Sequence, residues 1–281
     1  MAAGVRMECS TDAEALSLKL KVREIPDKPS VLDVTIDGVL TERIHLTEGE
    51  HTIDCSIPAG NHEVRVWLPQ AGFSAVGGLQ LHDTTRTAPL PHRPKWVTYG
   101  SSITQCTAAG GPSATWPALV ATELDWDLTC LGFGGQCQLD PIVERTFESV
   151  EADVISLCLG INSYGASTFN ERSFAAQAAG FIERIRDAHP EVPIAVISPI
   201  ASPEREHLPN AVGLTLGQVR AMVTEVVEVL AETDARLHLV DGLSVLTAGE
   251  AHLLEDGLHP STEGYRVMAD RIAPRLAQLP M

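Results

Sequence analysis

The sequence predicts an α/β fold in which a small β-sandwich precedes a doubly wound, five-stranded parallel sheet. Apolar and polar residues alternate over much of the first 83 residues, which is typical of antiparallel strands with one buried face. From residue 95 onward, short apolar runs alternate with longer segments of helical periodicity, as in a parallel sheet covered by helices on both faces. A segment with three prolines separates the two patterns. We therefore expect a β-sandwich domain at 1–83, a linker at 84–94 and an α/β domain at 95–281.

The β-sandwich prediction rests on four or five short strands with turn residues between them. From Leu16 to Val22, leucine and valine alternate with serine and lysine, so the apolar side chains share one face. Asp37 and Gly38 readily take the positive φ angles of a tight hairpin turn. The strand candidates lie at 16–22, 32–36, 39–40, 53–57 and 64–68.

One aromatic side chain in this part has two interpretations. Trp67 falls on the polar side of its predicted strand, together with Glu63 and Arg65. An outward-facing tryptophan could stack on a sugar ring, or it could pack against the α/β domain. We favour packing.

The pattern of residues 95–281 predicts alternating strands and helices. Such a fold has right-handed crossovers, and its functional residues lie beyond the carboxyl ends of the strands. The strand candidates are Trp96–Tyr99, Leu128–Leu131, Val154–Leu159, Ile194–Ser198 and Leu237–Val240. The clearest helix candidates are 172–188, the apolar stripe at 216–230, and a final helix with Ser261 as its N-cap that ends at Leu279.

Composition and charge narrow the function. The 281 residues are 44% hydrophobic and have a formal net charge of −17. Such acidity disfavours binding to nucleic acids or to anionic membranes. There is no apolar run long enough to span a bilayer and no apolar leader segment, so we expect a cytoplasmic protein. The six cysteines form no CxxC pair, which favours reduced thiols over disulfides or zinc.

Polar, glycine-flanked residues follow several predicted strands. Ser102 comes after the first strand, Gly135 after the second and Asn162 after the third, while Asp256 and His259 precede the last helix. A serine becomes a nucleophile when a histidine removes its proton and a carboxylate orients that histidine. Backbone N–H groups and an amide side chain can stabilise the resulting oxyanion. This set of residues indicates acyl transfer.

The segments Gly100-Ser101-Ser102-Ile103, Gly135, Gly160-Ile161-Asn162 and Asp256-Gly257-Leu258-His259 resemble the conserved blocks of the SGNH/GDSL hydrolases. The resemblance implies that Ser102 is the nucleophile, His259 the general base and acid, and Asp256 its orienting carboxylate. It also implies an oxyanion hole formed by Ser102, Gly135 and Asn162. A flavodoxin-like strand order 2-1-3-4-5, and a site without metal or other cofactor, follow from the same resemblance.

Three positions depart from the pattern of this family. Ser101 and Ser163 stand where aspartates are usual, and Cys130 stands where an asparagine is common. None of these positions belongs to the triad, but the departures weaken inference about the substrate pocket. Ser101, Ser163, Tyr164 and Trp116 are candidates for lining that pocket, and the two aromatic residues could equally be packing groups.

We expect a serine esterase that hydrolyses a small or medium acyl ester, such as an O-acetylated sugar or a small metabolite. The alternative is an acyltransferase that uses the same triad to pass the acyl group to an alcohol. A third hypothesis is a binding module whose catalytic fold is inactive. A nucleotide-dependent enzyme is disfavoured, because Cys137 stands where a dinucleotide fingerprint starting at Gly132 needs glycine. The expected partner is a small-molecule or carbohydrate ester, and a homo-oligomer is compatible with the sequence.

Overall fold

The computed structural model describes residues 1–25 and 30–281, and its N-terminal part consists of two antiparallel sheets. The strands are β1 (Arg6–Thr11), β2 (Ala15–Arg23), β3 (Ser30–Ile36), β4 (Val39–Leu46), β5 (Gly49–Ser56), β6 (His62–Trp67), β7 (Phe73–His82) and β8 (Thr87–Ala88). One sheet has the order β4-β3-β6-β1-β8 and the other β5-β2-β7. The short strand β8 lies within the predicted linker and pairs with β1.

The two sheets enclose an apolar core built from alternating residues. The alternating residues of β2 from Leu16 to Val22 are at most 3% exposed, and they share one cluster with Leu32 and Val34 of β3. Asp37 and Gly38 have φ angles of 50° and 79° between β3 and β4, as a tight hairpin requires. The sequence therefore forms the predicted β-sandwich.

The opposite face of the five-stranded sheet is also buried, because it packs against the C-terminal part. Trp67 is buried, and its indole N–H donates to Thr35 Oγ1 at 3.2 Å. The Arg6 guanidinium lies 5.2 Å from the Trp67 ring centroid and also donates to the carbonyl of Leu128 in the second part. This arrangement agrees with packing rather than sugar stacking for Trp67.

The C-terminal part is a five-stranded parallel sheet. Its strands are β9 (Lys95–Gly100), β10 (Asp127–Gly132), β11 (Val154–Cys158), β12 (Ile194–Ile197) and β13 (Leu237–Val240), each within one residue of its predicted bounds. Their order is β10-β9-β11-β12-β13, which is the expected order 2-1-3-4-5. The order changes direction beside β9, where doubly wound sheets place their sites.

Helices cover both faces of this sheet. They are α1 (Ser102–Gln105), α2 (Trp116–Glu123), α3 (Pro141–Phe147), α4 (Ile161–Gly165), α5 (Glu171–Ala188), α6 (Leu216–Ala231) and α7 (Thr262–Leu276). One apolar cluster joins the sheet to α3, α5 and α6, and a second joins it to α2 and α7. Ser261 caps α7 as predicted, with its Oγ accepting from the Gly264 N–H, but the helix ends three residues before Leu279.

Candidate active site

The turn between β9 and α1 presents Ser102. Ser101 is the N-cap of α1, and its Oγ accepts a hydrogen bond from the Ile103 N–H at 3.2 Å. A Cβ atom at Gly100 would collide with the Thr104 side chain, so a glycine is needed for this tight turn. Because Ser101 rather than Ser102 caps the helix, the Ser102 hydroxyl is free to contact another residue.

That other residue is His259. Ser102 Oγ lies 2.8 Å from His259 Nε2, although the two residues are 157 positions apart. His259 Nδ1 in turn lies 2.7 Å from Asp256 Oδ2. The fold thus brings a hydroxyl, an imidazole and a carboxylate into one hydrogen-bonded chain.

The Asp256–His259 segment forms a compact hairpin. Asp256 Oδ1 accepts from the backbone N–H groups of Leu258 at 3.0 Å and His259 at 2.7 Å. Gly257 has a φ of 71°, a conformation that glycine adopts without strain. Asp256 can therefore hold the backbone with one oxygen and the imidazole with the other.

The ionisation state of Asp256 determines which atoms donate in the hydrogen bonds that join Asp256, His259 and Ser102. Burial raises the pKa of Asp256, but the hydrogen bonds from His259 and Leu258 outweigh it and lower the pKa to about 2. The carboxylate is consequently ionised at neutral pH and accepts a hydrogen bond from the N–H at His259 Nδ1. This leaves His259 Nε2 as the acceptor for the Ser102 hydroxyl proton.

A second loop, which sequence reasoning missed, supports the hairpin. Ser202 Oγ donates to the Gly257 carbonyl at 2.6 Å, and Arg205 Nη1 donates to the same oxygen at 3.3 Å. Both residues follow β12, so the rule that functional residues cluster after strands could have drawn attention to them.

The predicted oxyanion donors follow three neighbouring strands. Asn162 Oδ1 accepts from the Cys137 N–H at 3.0 Å, which identifies the other side-chain atom of Asn162 as the donor Nδ2. Gly135 has a φ of 72°. In the residues that the structure describes, Asn162 Nδ2 and the N–H groups of Ser102 and Gly135 donate no hydrogen bond. All three groups are available to bind an oxyanion.

Two of the predicted pocket residues belong to the packed interior instead. Trp116 is fully buried, its indole N–H donates to the Ile103 carbonyl, and its ring packs on Trp96 at 5.8 Å. Because it has no exposed surface, Trp116 cannot line a substrate pocket. Tyr164 is also buried, with its hydroxyl donating to the Leu208 carbonyl at 2.9 Å.

The two predicted serines differ in their surroundings. Ser163 is buried, and its hydroxyl has no hydrogen-bond partner among the described residues. Ser101 lines an apolar cavity of about 30 Å³ together with Ile103, Ile161 and Met268. Neither Ser102 nor His259 lines this cavity.

Two glycines, Gly132 at the end of β10 and Gly134 after it, allow close packing. A Cβ atom at Gly132 would collide with the backbone of Gln105, and one at Gly134 would lie 2.7 Å from Gln105 Oε1. At these two glycines the chain therefore lies directly against α1. Within residues 1–25 and 30–281, no group of three or more His, Cys, Asp or Glu side chains could hold a metal ion. Among the same residues, no helix is long and apolar enough to cross a membrane.

Several solved structures are similar to this chain over nearly its whole length. The salicylyl-acyltransferase SsfX3 from a tetracycline biosynthetic pathway is similar over 98% of this chain and 82% of its own, with 29% identity and a TM-score of 0.84. A putative GDSL-like lipase from Bacteroides ovatus covers 99% of this chain and 86% of its own, with 19% identity and a TM-score of 0.77. A family two carbohydrate esterase from Clostridium thermocellum covers 97% and 91%, with 18% identity and a TM-score of 0.72.

A search of curated proteins gave no match. The family model for GDSL-like lipases and acylhydrolases, in contrast, matches residues 98–267, which span the turn after β9 and the Asp256–His259 hairpin. The protein is thus an enzyme of the ester hydrolase or acyltransferase type. The chain belongs to the GDSL-like lipase/acylhydrolase family.

Proposed function

We propose that the protein is a serine esterase that hydrolyses esters of small or medium acyl groups through an acyl-enzyme on Ser102. The observation that carries this proposal is the continuous contact from Ser102 Oγ to His259 Nε2 at 2.8 Å and from His259 Nδ1 to Asp256 Oδ2 at 2.7 Å. The geometry suits general-base activation of a serine.

The reaction begins with attack by Ser102 Oγ on the ester carbonyl carbon. As the new C–O bond forms, the hydroxyl proton moves to His259 Nε2, and Asp256 stabilises the resulting imidazolium. The carbonyl oxygen becomes an oxyanion, which accepts hydrogen bonds from the N–H groups of Ser102 and Gly135 and from Asn162 Nδ2. The C–O bond to the alcohol then breaks, and His259 returns its proton to the leaving alcohol.

Deacylation repeats these steps with water as the nucleophile. His259 Nε2 takes a proton from water while the water oxygen attacks the acyl carbon. The second tetrahedral intermediate uses the same oxyanion donors. Collapse breaks the bond to Ser102 Oγ, which recovers the proton from His259 and releases the free acid.

Paired serine variants test the proposal. We expect Ser102→Ala to lower kcat/KM for p-nitrophenyl acetate by about 10⁵- to 10⁶-fold. Ser101→Ala is the matched control, because it removes a cap worth about 1 kcal/mol of stability but no reacting group. Its kcat/KM should stay within about tenfold of the wild type. Equal activity of Ser102→Ala and wild type would refute the proposal.

An acyltransferase is the second candidate, favoured by the likeness to SsfX3 over nearly the whole chain at 29% identity. In that case an alcohol replaces water in the second half-reaction, and a new ester forms. Supplying an acyl ester with a panel of alcohols and measuring free acid against new ester separates the two. Predominant new ester would replace hydrolysis by transfer as the proposed function.

The proposed alcohol part is a sugar. The carbohydrate esterase from Clostridium thermocellum shares the fold over 97% of this chain, and this is a reason to test sugar esters first. We expect kcat/KM for acetylated monosaccharides to exceed that for ethyl acetate. A preference for the simple ester would reject the sugar assignment.

A further inference from the structure

A glutamine from the N-terminal part reaches the helix that begins with the nucleophile. Gln70 follows β6 and is only 6% exposed. Its Nε2 donates to the carbonyl of Gln105 at 2.5 Å and to the carbonyl of Cys106 at 3.1 Å. These two carbonyls end α1, so the side chain of Gln70 fixes the end of the helix opposite Ser102.

The side chain of Gln105 continues this contact toward the loop after β10. It is 5% exposed, and its Oε1 accepts from the Gly134 N–H at 2.9 Å. A backbone N–H can only donate, so this bond also fixes which way the Gln105 amide points. A Cβ atom built at Gly134 would lie 3.7 Å from the Cβ of Ser102, which places the loop beside the nucleophile.

The same loop is held at its other end by Asn162, whose Oδ1 accepts from the Cys137 N–H. Gly135 lies between these two attachments, and its own N–H has no partner among the described residues. The loop segment 133–137 is therefore fixed on both sides of the one backbone N–H assigned to the oxyanion.

We propose that Gln105 is a positioning residue for the oxyanion donor of Gly135, and that Gln70 supports it from the N-terminal β-sandwich. This inference rests on the proposed function of the Ser102 site. Oxyanion donors act only when they are held close to their productive positions, and a displacement of about 1 Å can cost about 10²-fold in rate. The inference gives the β-sandwich a role in the reaction of the other domain.

The test uses isosteric methionine variants in the full chain. Gln105→Met removes the acceptor of the Gly134 N–H, and we expect kcat to fall about 10- to 100-fold with KM changed less than about threefold. The side chain of Gln70 does not contact the loop, so we expect Gln70→Met to lower kcat less, by about three- to tenfold. The affinity for a trifluoromethyl ketone, which forms a tetrahedral oxyanion on serine, should fall in parallel with kcat/KM.

Gln218→Met is the matched control. Gln218 Oε1 accepts the Thr215 N–H at 2.8 Å at the start of α6, the same kind of bond in another part of the fold. We expect it to lower Tm without changing kcat by more than about twofold. If Gln105→Met lowers Tm to the same extent but leaves kcat at the wild-type value, the positioning role is refuted.

Amide exchange separates this inference from the proposed function. If the wild type has no esterase or transferase activity, the proposed function fails, but exchange can still be measured. The inference predicts faster exchange at 133–137 in Gln105→Met and Gln70→Met, and unchanged exchange there in Gln218→Met. Unchanged exchange in both of the first two variants overturns it. If Gln105→Met does not fold, amide exchange at 133–137 in Gln70→Met alone tests the inference: faster exchange supports it and unchanged exchange overturns it.

Discussion

At the scale of single residues, local hydrogen bonds explain why the Asp256–His259 pair could be recognised from the sequence. Asp256 Oδ1 binds backbone N–H groups two and three residues away, so four consecutive residues determine the hairpin. Locality also explains why the sequence left Trp116 undecided between pocket wall and packing. Its burial depends on contact with Trp96, twenty positions away, which no local pattern reveals.

Asp256→Asn tests the role of the carboxylate. The new amide group would face His259 Nδ1 with an N–H donor, which favours the imidazole tautomer that carries its proton on Nε2. His259 could then no longer accept the Ser102 proton, and we expect kcat/KM to fall by up to about 10⁴-fold. Asp241→Asn is the control, since Asp241 also accepts a backbone N–H, from Leu243, but contacts no histidine in the described part of the chain.

The pKa of Asp256 also predicts a pH dependence. Its value in the fold, about 2, lies below the ordinary 3.8. The ionised carboxylate therefore stabilises the folded hairpin fully above pH 3.8, and this contribution is lost as the pH falls toward 2. A urea denaturation series from pH 6 to pH 2 should show a smaller loss of stability for Asp256→Asn than for wild type. Parallel curves would contradict this assignment.

At the scale of elements, the loop after β12 depends on one ion pair with α6. Arg220 is buried, donates to the Pro199 and Ile200 carbonyls, and contacts both carboxylate oxygens of Glu206 at 2.7 and 2.8 Å. This loop contains Ser202, which binds the hairpin of His259. The ion pair consequently supports, through Ser202, the hairpin that contains His259.

Arg220→Met should destabilise the fold by about 3–5 kcal/mol, because it leaves Glu206 partly buried without its partner. Burial raises the pKa of Glu206, but Arg220 and the Ser202 N–H outweigh it and lower the pKa. That stabilisation is present above the ordinary glutamate pKa and lost below it, so the variant should lose less stability on acidification. Chemical denaturation measures both effects.

Arg266→Met is the control for this prediction. Arg266 is half exposed and pairs with Glu263 and Asp270 on the surface of α7. Exposed pairs contribute about 0–1 kcal/mol, so this variant should remain close to wild type. An equal effect of the two substitutions would show that burial is not what makes the Arg220 pair important.

Most elements with a clear pattern could be predicted from the sequence. The strand β2 alternates strictly from Leu16 to Val22, and the five parallel strands are short, largely apolar runs that include a few buried polar residues such as Thr98 and Ser156. The strand β7 was missed, because its register shifts opposite Lys19 and it contains Gly77 and Gly78. The strand β1 was missed as well, although Arg6, Glu8 and Ser10 alternate with Met7 and Cys9.

At the scale of the whole molecule, a buried carboxylate joins the two parts. Asp33 of β3 is fully buried and accepts two hydrogen bonds from Arg43, at 2.8 and 2.9 Å. It also accepts from the N–H and hydroxyl of Ser113, in the segment before α2. A Cβ atom at Gly111 would lie 2.5 Å from Asp33, so the sequence is adapted to this close approach.

Arg43→Met should therefore destabilise the whole chain, by about 3–5 kcal/mol, because Asp33 would stay buried without its cation. Lys21→Met is the control, since Lys21 forms an exposed pair with Glu50 that contributes about 0–1 kcal/mol. Because the buried carboxylate of Asp33 in the first part binds Ser113 in the second part, we expect calorimetry to show one unfolding transition. Two separate transitions in the wild type would contradict this coupling.

The contacts between the two parts were the least predictable feature of the molecule. Gln70 and Asp33 are polar residues at positions without a motif, and their partners in the second part lie 35 to 80 positions away. Their roles follow from tertiary contacts alone. The residues of the family blocks, by contrast, each follow a strand or form a hairpin and could be placed before the fold was known.

Intact mass after reaction with a fluorophosphonate, followed by peptide mapping, tests most directly whether Ser102 is the nucleophile. Wild type should gain one phosphonyl group, located on Ser102, because among the described residues only that hydroxyl contacts the His259 imidazole. Ser101→Ala should label like wild type, whereas Ser102→Ala should not label. Labelling at any other residue, or equal labelling of Ser102→Ala, would contradict the assignment of Ser102 as the nucleophile.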